Sequence, residues 1–364
     1  MEARYHKDMG HESRPHARGW LCGLAVAVAF GVATGAAAVD PPTGRLPRDV
    51  VPLHYTLRLV IDPTADGFTG EVAIRVRIAT PTRTVWLHAR DLDVEKAVLA
   101  RPGEAERPLA PAIAHESGVL RLTAPEPLPA GEAELRLAFA GAYGRKLEGI
   151  YRVHVDGDAY VMTQMEPLAA RRSFPCFDEP AFKTPWDVTL VAPAGSVAVA
   201  NTGEVGGHAL GDGRVARRFA TTEPLPSYLI AFAVGPWDVV TAEPVPPTPQ
   251  RARPLPLRGL ATRGRGAELA HALAETPRLL TALEAWFGLP HPFDKLDLLA
   301  APDFSFGAME NVGLITYRES LLLLGEHAPT AVRMAFHVVH LHELAHQWFG
   351  NSVTMPWWDD LWLN

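Results

Sequence analysis

Between residues 51 and about 240 the chain is a succession of short segments in which apolar and polar side chains alternate. That pattern constrains the fold more than any other feature of the sequence. Residues 54–61 read His-Tyr-Thr-Leu-Arg-Leu-Val-Ile and residues 70–78 read Gly-Glu-Val-Ala-Ile-Arg-Val-Arg-Ile. A period of two puts every second side chain on one face of a strand, so such segments bury one face and leave the other wet. Similar runs recur at 84–87, 119–122, 133–139, 188–191 and 228–234, separated by Gly, Pro and Asp. Many short strands with turn residues between them predict an all-β, sandwich-like domain over residues 45–242.

The character then changes. Glu243-Pro244-Val245-Pro246-Pro247-Thr248-Pro249 lacks the N–H donors a strand ladder needs, which predicts an extended, semi-rigid connector over 243–254. Beyond it lie a strand at 255–261, a helix at 267–287 with Leu269, Leu273, Leu280 and Leu283 near helical spacing, a strand at 296–300 and a helix at 330–349 capped by Thr330. The expected fold class is therefore α+β and multidomain, with the second domain over 255–364.

At 364 residues the chain has room for two domains. A formal net charge of -7 without a basic patch excludes a nucleic-acid partner. Arg4, Lys7, Arg14 and Arg18 precede a mildly apolar run at residues 20–39, which ends in Ala36-Ala37-Ala38 ahead of Asp40. Residues 1–39 thus read as an export signal peptide or as an uncleaved membrane anchor. Either one implies an exported protein, periplasmic or extracellular, with membrane attachment through residues 20–39 in the second case. Of the two cysteines, Cys22 lies in that run, so cleavage leaves Cys176 alone and no internal disulfide. Nothing in the sequence bears on oligomeric state.

The sharpest chemical signal is His342-Glu343-Leu344-Ala345-His346 on the last helix. At about 100° per residue, two histidines four apart are some 40° apart on a helix and can grip one ion. A glutamate between them can act as general base toward a water. His337 and His340 fall on the opposite face and read as surface or supporting residues. A catalytic zinc takes three protein ligands, so a third must come from elsewhere.

Further blocks carry a resemblance. Gly307-Ala308-Met309-Glu310-Asn311 stands 30 residues before His342 and resembles the exopeptidase signature of the aminopeptidase N family of gluzincin zinc peptidases. Thr163-Gln164-Met165-Glu166-Pro167 and residues 171–180 resemble two more of its blocks, and residues 228–237, 295–313 and 342–364 look like their counterparts. The likeness covers roughly residues 47–364. It implies a β-rich N-terminal domain followed by a thermolysin-like α/β catalytic domain, and removal of single residues from peptides with a free N-terminus. It also implies one Zn2+ held by His342 and His346, with Glu343 as catalytic base. Glu166 and Glu310 would hold the substrate's α-amine, Gln164 and Met309 would lie beside the first side-chain pocket, and Gly307 and Ala308 would contact the peptide backbone, with Asn311 completing that substrate-binding block. Taken alone, Glu166 and Glu310 read as solvated loop carboxylates.

In that family a third zinc ligand, a glutamate, follows the second histidine after 18 intervening residues. Gln347 to Asn364 are those 18, and the sequence ends there. The resemblance therefore implies an incomplete fragment, inactive by itself. The competing expectations are a thermolysin-like endopeptidase, which has no use for the 307–311 block, and a non-catalytic peptide-binding or receptor-type product. Some family members also open an epoxide in the same site, and the sequence is silent on that activity.

Overall fold

The computed structural model describes residues 40–325 and 327–364. The export segment expected over residues 1–39 lies outside the described residues. No helix among the described residues is long and apolar enough to cross a membrane.

The alternating segments form strands as the period demands. In Val50–Val60 the side chains of Tyr55, Leu57 and Leu59 are buried while Thr56 is exposed; in Gly67–Ile78 Val72, Ile74 and Val76 are buried while Glu71, Arg75 and Arg77 are exposed. These two strands are antiparallel neighbours at the centre of an eight-stranded sheet. Its order is Glu204–Ala209, Arg214–Phe219, Trp186–Pro193, Val50–Val60, Gly67–Ile78, Gly131–Ala142, Leu92–Ala100 and Arg107–Pro108. A three-stranded sheet (Thr82–His88, Val119–Leu128, Ala110–His115) and a four-stranded one (Val197–Ala200, Phe232–Gly235, Asp158–Gln164, Gly149–Val155) complete the region. Their inner faces share one core, in which Tyr55 stacks on Trp186 with ring centroids 3.8 Å apart. The expected strand at 228–234 is realised only in part. Ser227–Leu229 is a 3-10 turn and the strand is Phe232–Gly235, because a run of buried apolar residues has no period to distinguish the two.

The Pro-rich stretch links two strands of a fourth, five-stranded sheet. Asp238–Thr241 before it pairs antiparallel with Leu257–Ala261 after it, and Val245 and Leu255 exchange both backbone hydrogen bonds between them. Arg251 ties the loop down, its guanidinium reaching Glu284 Oε1 at 2.8 Å. The sheet continues in parallel through Leu296–Ala301 and Leu314–Arg318, with the short strand Ala308–Met309 antiparallel at its edge. Helices α1 (Ala270–Phe287), α2 (Glu319–Leu322) and α3 (Thr330–Ala345) follow in chain order. Leu273, Leu280, Phe336 and Leu344 share a core with Leu257 and Leu298 of the sheet.

Two expectations are corrected at the last helix. It ends at Ala345, four residues early, and Pro329 rather than Thr330 holds its first cap position, with no side-chain cap. The proline ring fixes φ and its extended ψ of 150° already breaks the chain, so Thr330 becomes the first helical residue. His346 keeps helical dihedrals at the end of α3, so the four-residue spacing to His342 survives.

Candidate active site

Strands of two sheets and one helix deliver the chemistry. The strand Asp158–Gln164 ends at Gln164 with Glu166 two residues on, the hairpin of Ala308–Met309 and Leu314–Arg318 presents Met309 and Glu310, and α3 brings His342, Glu343 and His346. Gln164 and Met309 meet, Nε2 to Sδ at 3.6 Å. The His342 and His346 Nε2 atoms face each other at 2.9 Å. Single ligand atoms of Glu310, Glu343 and His346 all lie within 4.8 Å of one another. The arrangement therefore unites Gln164, Met309, Glu310, His342, Glu343 and His346, and Glu166 lies close enough to feel the Glu310 carboxylate. Ala308 sits on the edge strand and Gly307 just before it; Gly307 O accepts from Arg318 N at 2.9 Å and Ala308 pairs with Tyr317. Asn311 turns into the hairpin instead, its amide donating to Thr316 Oγ1 at 3.3 Å.

The electrostatics are unusual for a protein interior. Glu310 and Glu343 are buried and Glu166 is half-buried, yet no Lys or Arg forms an ion pair with any of them among the described residues. Burial, reinforced by Glu310 and Glu166, pushes Glu343 up to about 9. Burial and the Glu310 charge push Glu166 up to about 8. Glu343 Oε2 is buried with no hydrogen-bond partner among the described residues. The Glu310 charge disfavours ionisation of both Glu166 and Glu343, and a nearby positive charge would relieve both.

The residues fit a metal ion. His346 Nδ1 donates to Phe349 O at 3.0 Å, which leaves its Nε2 as a bare lone pair aimed at His342 Nε2. Two imidazole nitrogens at 2.9 Å need a proton or a cation between them. Nitrogen donors beside carboxylates form a donor set that suits zinc. Gly350, at φ +113°, closes the turn after α3, and a Cβ there would meet Asn364 Oδ1 at 2.3 Å and His346 Nδ1 at 3.2 Å.

The neighbouring histidines serve α3 itself. His340 is fully buried, with Nε2 2.9 Å from Thr276 Oγ1 and Nδ1 2.7 Å from Tyr317 OH. Because the Thr276 hydroxyl donates to Ala272 O at 2.7 Å, it accepts from His340 Nε2, and Nδ1 accepts from Tyr317. His337 sits near the surface against Glu275 at 3.1 Å. Gln347 and Asn351, whose amides hold the Glu310 backbone carbonyl at 3.1 and 2.8 Å, were not legible as separate site residues. Their only sequence signal was their place in the block after His342.

A surface hollow of about 430 Å³ lies elsewhere, on the solvent face of the eight-stranded sheet around Arg58, Ala73, Arg136 and Ala138. That face carries rows of opposite charge, Arg58 opposite Glu71 and Arg75 opposite Glu134, as a solvated sheet does. Volume alone does not mark the chemistry here.

Residues 51–229 match the model of the Peptidase M1 N-terminal domain, and residues 271–364 that of the Peptidase family M1 domain. Aminopeptidase M1-A of Oryza sativa subsp. japonica is 40% identical over 329 residues, which is 88% of this chain and 37% of the relative. Endoplasmic reticulum aminopeptidase 1 of Homo sapiens is 35% identical over 88% of this chain and 34% of its own length. Puromycin-sensitive aminopeptidase of Caenorhabditis elegans is 35% identical over the same shares. The chain thus spans little more than a third of the length of these relatives.

Proposed function

Because this chain belongs to peptidase family M1, we propose that it carries the amine-binding and base-bearing portion of a zinc aminopeptidase. The observation that supports this reading is the convergence of two imidazole Nε2 atoms and three carboxylates with no lysine or arginine paired to them among the described residues. A peptide with a free N-terminus brings an ammonium group at a fixed distance from its first carbonyl. Glu166 and Glu310 accept from that ammonium, in charge-assisted hydrogen bonds that are short and comparatively strong. Gln164 and Met309 flank the side chain of the first residue, and the edge strand at Gly307 and Ala308 aligns the peptide backbone.

His342 and His346 are the zinc-holding residues of this chain. When bound, zinc supplies Lewis-acid polarisation of the carbonyl and lowers the pKa of a water to about 7. Glu343 takes a proton from the attacking water at its unpartnered Oε2 and passes it to the departing amine. A third metal ligand follows Asn364 in this reading. Residues 1–39 direct export.

The direct test is Glu310→Gln in the full-length gene product. Loss of one charged hydrogen bond lowers kcat/KM on free-amine peptides roughly 10- to 150-fold and leaves N-acetylated peptides unchanged. Equal losses on both remove the amine-anchor role. A full-length product that binds no zinc and cleaves no peptide favours a non-catalytic, peptide-binding role instead. N-terminal sequencing of the mature protein from the extracytoplasmic fraction tests export.

A further inference from the structure

The carbonyl oxygen of Glu310 is gripped twice. Gln347 Nε2 donates to it at 3.1 Å and at the same time to Glu343 O at 3.1 Å, while Asn351 Nδ2 donates to it at 2.8 Å. Both amides are at most 1% exposed. Their orientation is fixed, since a flipped amide would set oxygen against a carbonyl oxygen. In this orientation Gln347 Oε1 and Asn351 Oδ1 are buried without a partner among the described residues. Burying an unmet acceptor costs stability, so these two side chains are poor choices for packing and good ones for their N–H groups.

Where the two amides stem from matters. Gln347 directly follows His346, and Asn351 lies on the turn that closes behind it, with Asn351 N donating to His346 O at 3.1 Å. That turn is anchored in the β region, where Lys183 Nζ donates to Asn351 O at 2.9 Å and to Ser352 O at 3.0 Å. The strand end bearing Glu310 is pinned from the other side by Asn201, whose Nδ2 donates to Val312 O at 2.9 Å and to Leu229 O at 2.8 Å. Glu310 is thus tied through its backbone to the same turn that carries the second histidine.

We propose that Gln347 and Asn351 are positioning residues that fix the span between the Glu310 carboxylate and the His342/His346 pair, and thereby confine cleavage to the first peptide bond. This rests on the reading of Glu310 as the amine anchor. The pair touches neither substrate nor metal in this scheme; the Asn351 amide acts through Glu310, and that of Gln347 through Glu310 and the Glu343 backbone carbonyl. Loosening it lets the carboxylate drift, which weakens the grip on a free amine without changing the fate of a blocked one.

The test uses Gln347→Met, Asn351→Leu and the double variant in the zinc-loaded full-length gene product. Each single change is expected to lower kcat/KM on free-amine peptides roughly 5- to 30-fold, mainly through KM, with zinc content unaltered. Calorimetric binding of an α-amino alcohol, which is not hydrolysed, should weaken by a similar factor, and binding of its N-acetyl form should not change. The deciding measurement repeats Asn351→Leu in a Glu310→Gln background, where a residue acting through Glu310 has no further effect. Full additivity there, or equal loss on N-acetylated ligands, overturns the proposal while the reading of Glu310 stands. A Glu310→Gln variant that keeps its preference for free amines overturns that reading and this proposal together. Should Asn351→Leu fail to fold, Asn351→Asp keeps the shape, replaces the donor by an acceptor, and carries the same readouts.

Discussion

Glu284 and Glu343 are both enclosed side chains on helices of the same region, and their surroundings are opposite. Glu284 accepts from Arg251 Nε, Thr248 Oγ1 and His291 N, each at 2.8 Å. Asp297 and Asp178 are treated the same way. Arg258 holds Asp297 at 2.9 and 2.6 Å and Lys295 reaches it at 2.8 Å, while Asp178 binds Arg171 at 2.8 Å and Ser227 at 2.6 Å. Burial would raise Asp297, but the Lys295 and Arg258 charges hold it below the usual carboxylate range. Glu343, Glu166 and Glu310 instead face one another, and the first two are pushed upward. Carboxylates that serve the fold come with their cations. The three proposed to serve chemistry have no Lys or Arg paired to them among the described residues, and the missing charge matches what a metal ion and a peptide ammonium would bring.

The comparison breaks first at Glu343. In the full-length protein Glu343→Gln should cost about 10²- to 10⁴-fold in kcat, as loss of a general base does. Metal-free stability should hold or rise, because the fold no longer has to keep protonated a buried acid that is ionised when unfolded. Peptide hydrolysis and thermal unfolding in the presence of a chelator check both halves, and a large fall in melting temperature would place Glu343 with Glu284. The reciprocal change is Arg251→Met. It strands Glu284 and should destabilise the fold by about 3–5 kcal/mol in urea titration, with early proteolysis in the 243–254 loop that Arg251 holds.

How much of this the sequence disclosed follows from the range of each interaction. The eight-stranded sheet was legible where Tyr55, Leu57, Leu59 and Val72, Ile74, Val76 alternate with polar neighbours, since one-sided burial writes itself as a period of two. Strands such as Leu296–Ala301, buried on both faces, show only as apolar runs, and Gly149–Val155 and Asp158–Gln164 went unassigned because their pattern is mixed. The histidine pair was legible because its geometry is local to one helix. The meeting of Glu166 with Glu310 spans 144 residues of chain. No local pattern records that distance, and only the resemblance brought the two together beforehand. The Gln347 and Asn351 grip on a backbone carbonyl is less visible still, because the acceptor has no residue identity.

A third effect is smaller and depends on the metal. Zinc at about 100 times its Kd should stabilise a protein that binds it only when folded by about 2.7 kcal/mol. His346→Ala should abolish that gain, while a substitution at Asp178 should leave it in place and lower the starting stability instead. Thermal shift with and without a chelator reads both. A zinc response that survives His346→Ala would detach the carboxylate cluster from the histidine pair.

The smallest expected effect is the most specific to the contrast between the two groups of carboxylates. Glu166 sits near 8 in the folded state, above the ordinary carboxylate value near 4.3 that it has when unfolded. Below about pH 4.3 both states are protonated and the group contributes nothing. Between there and pH 8 the folded state retains a proton that the unfolded state releases, so stability falls as pH rises through this window and levels off above it. In the metal-free protein the fall assigned to Glu166 should be on the order of 1–2 kcal/mol, since the half-buried group is partly screened. Glu166→Gln should flatten it. Asp297, held low, works the other way, adding stability that is present above the ordinary carboxylate value and lost as pH drops through its folded one. Denaturation curves between pH 4 and 9 for the parent, Glu166→Gln and Asp297→Asn separate the two slopes. A parent curve that rises throughout, with no response to Glu166→Gln, would mean that Glu166 is compensated like the structural carboxylates.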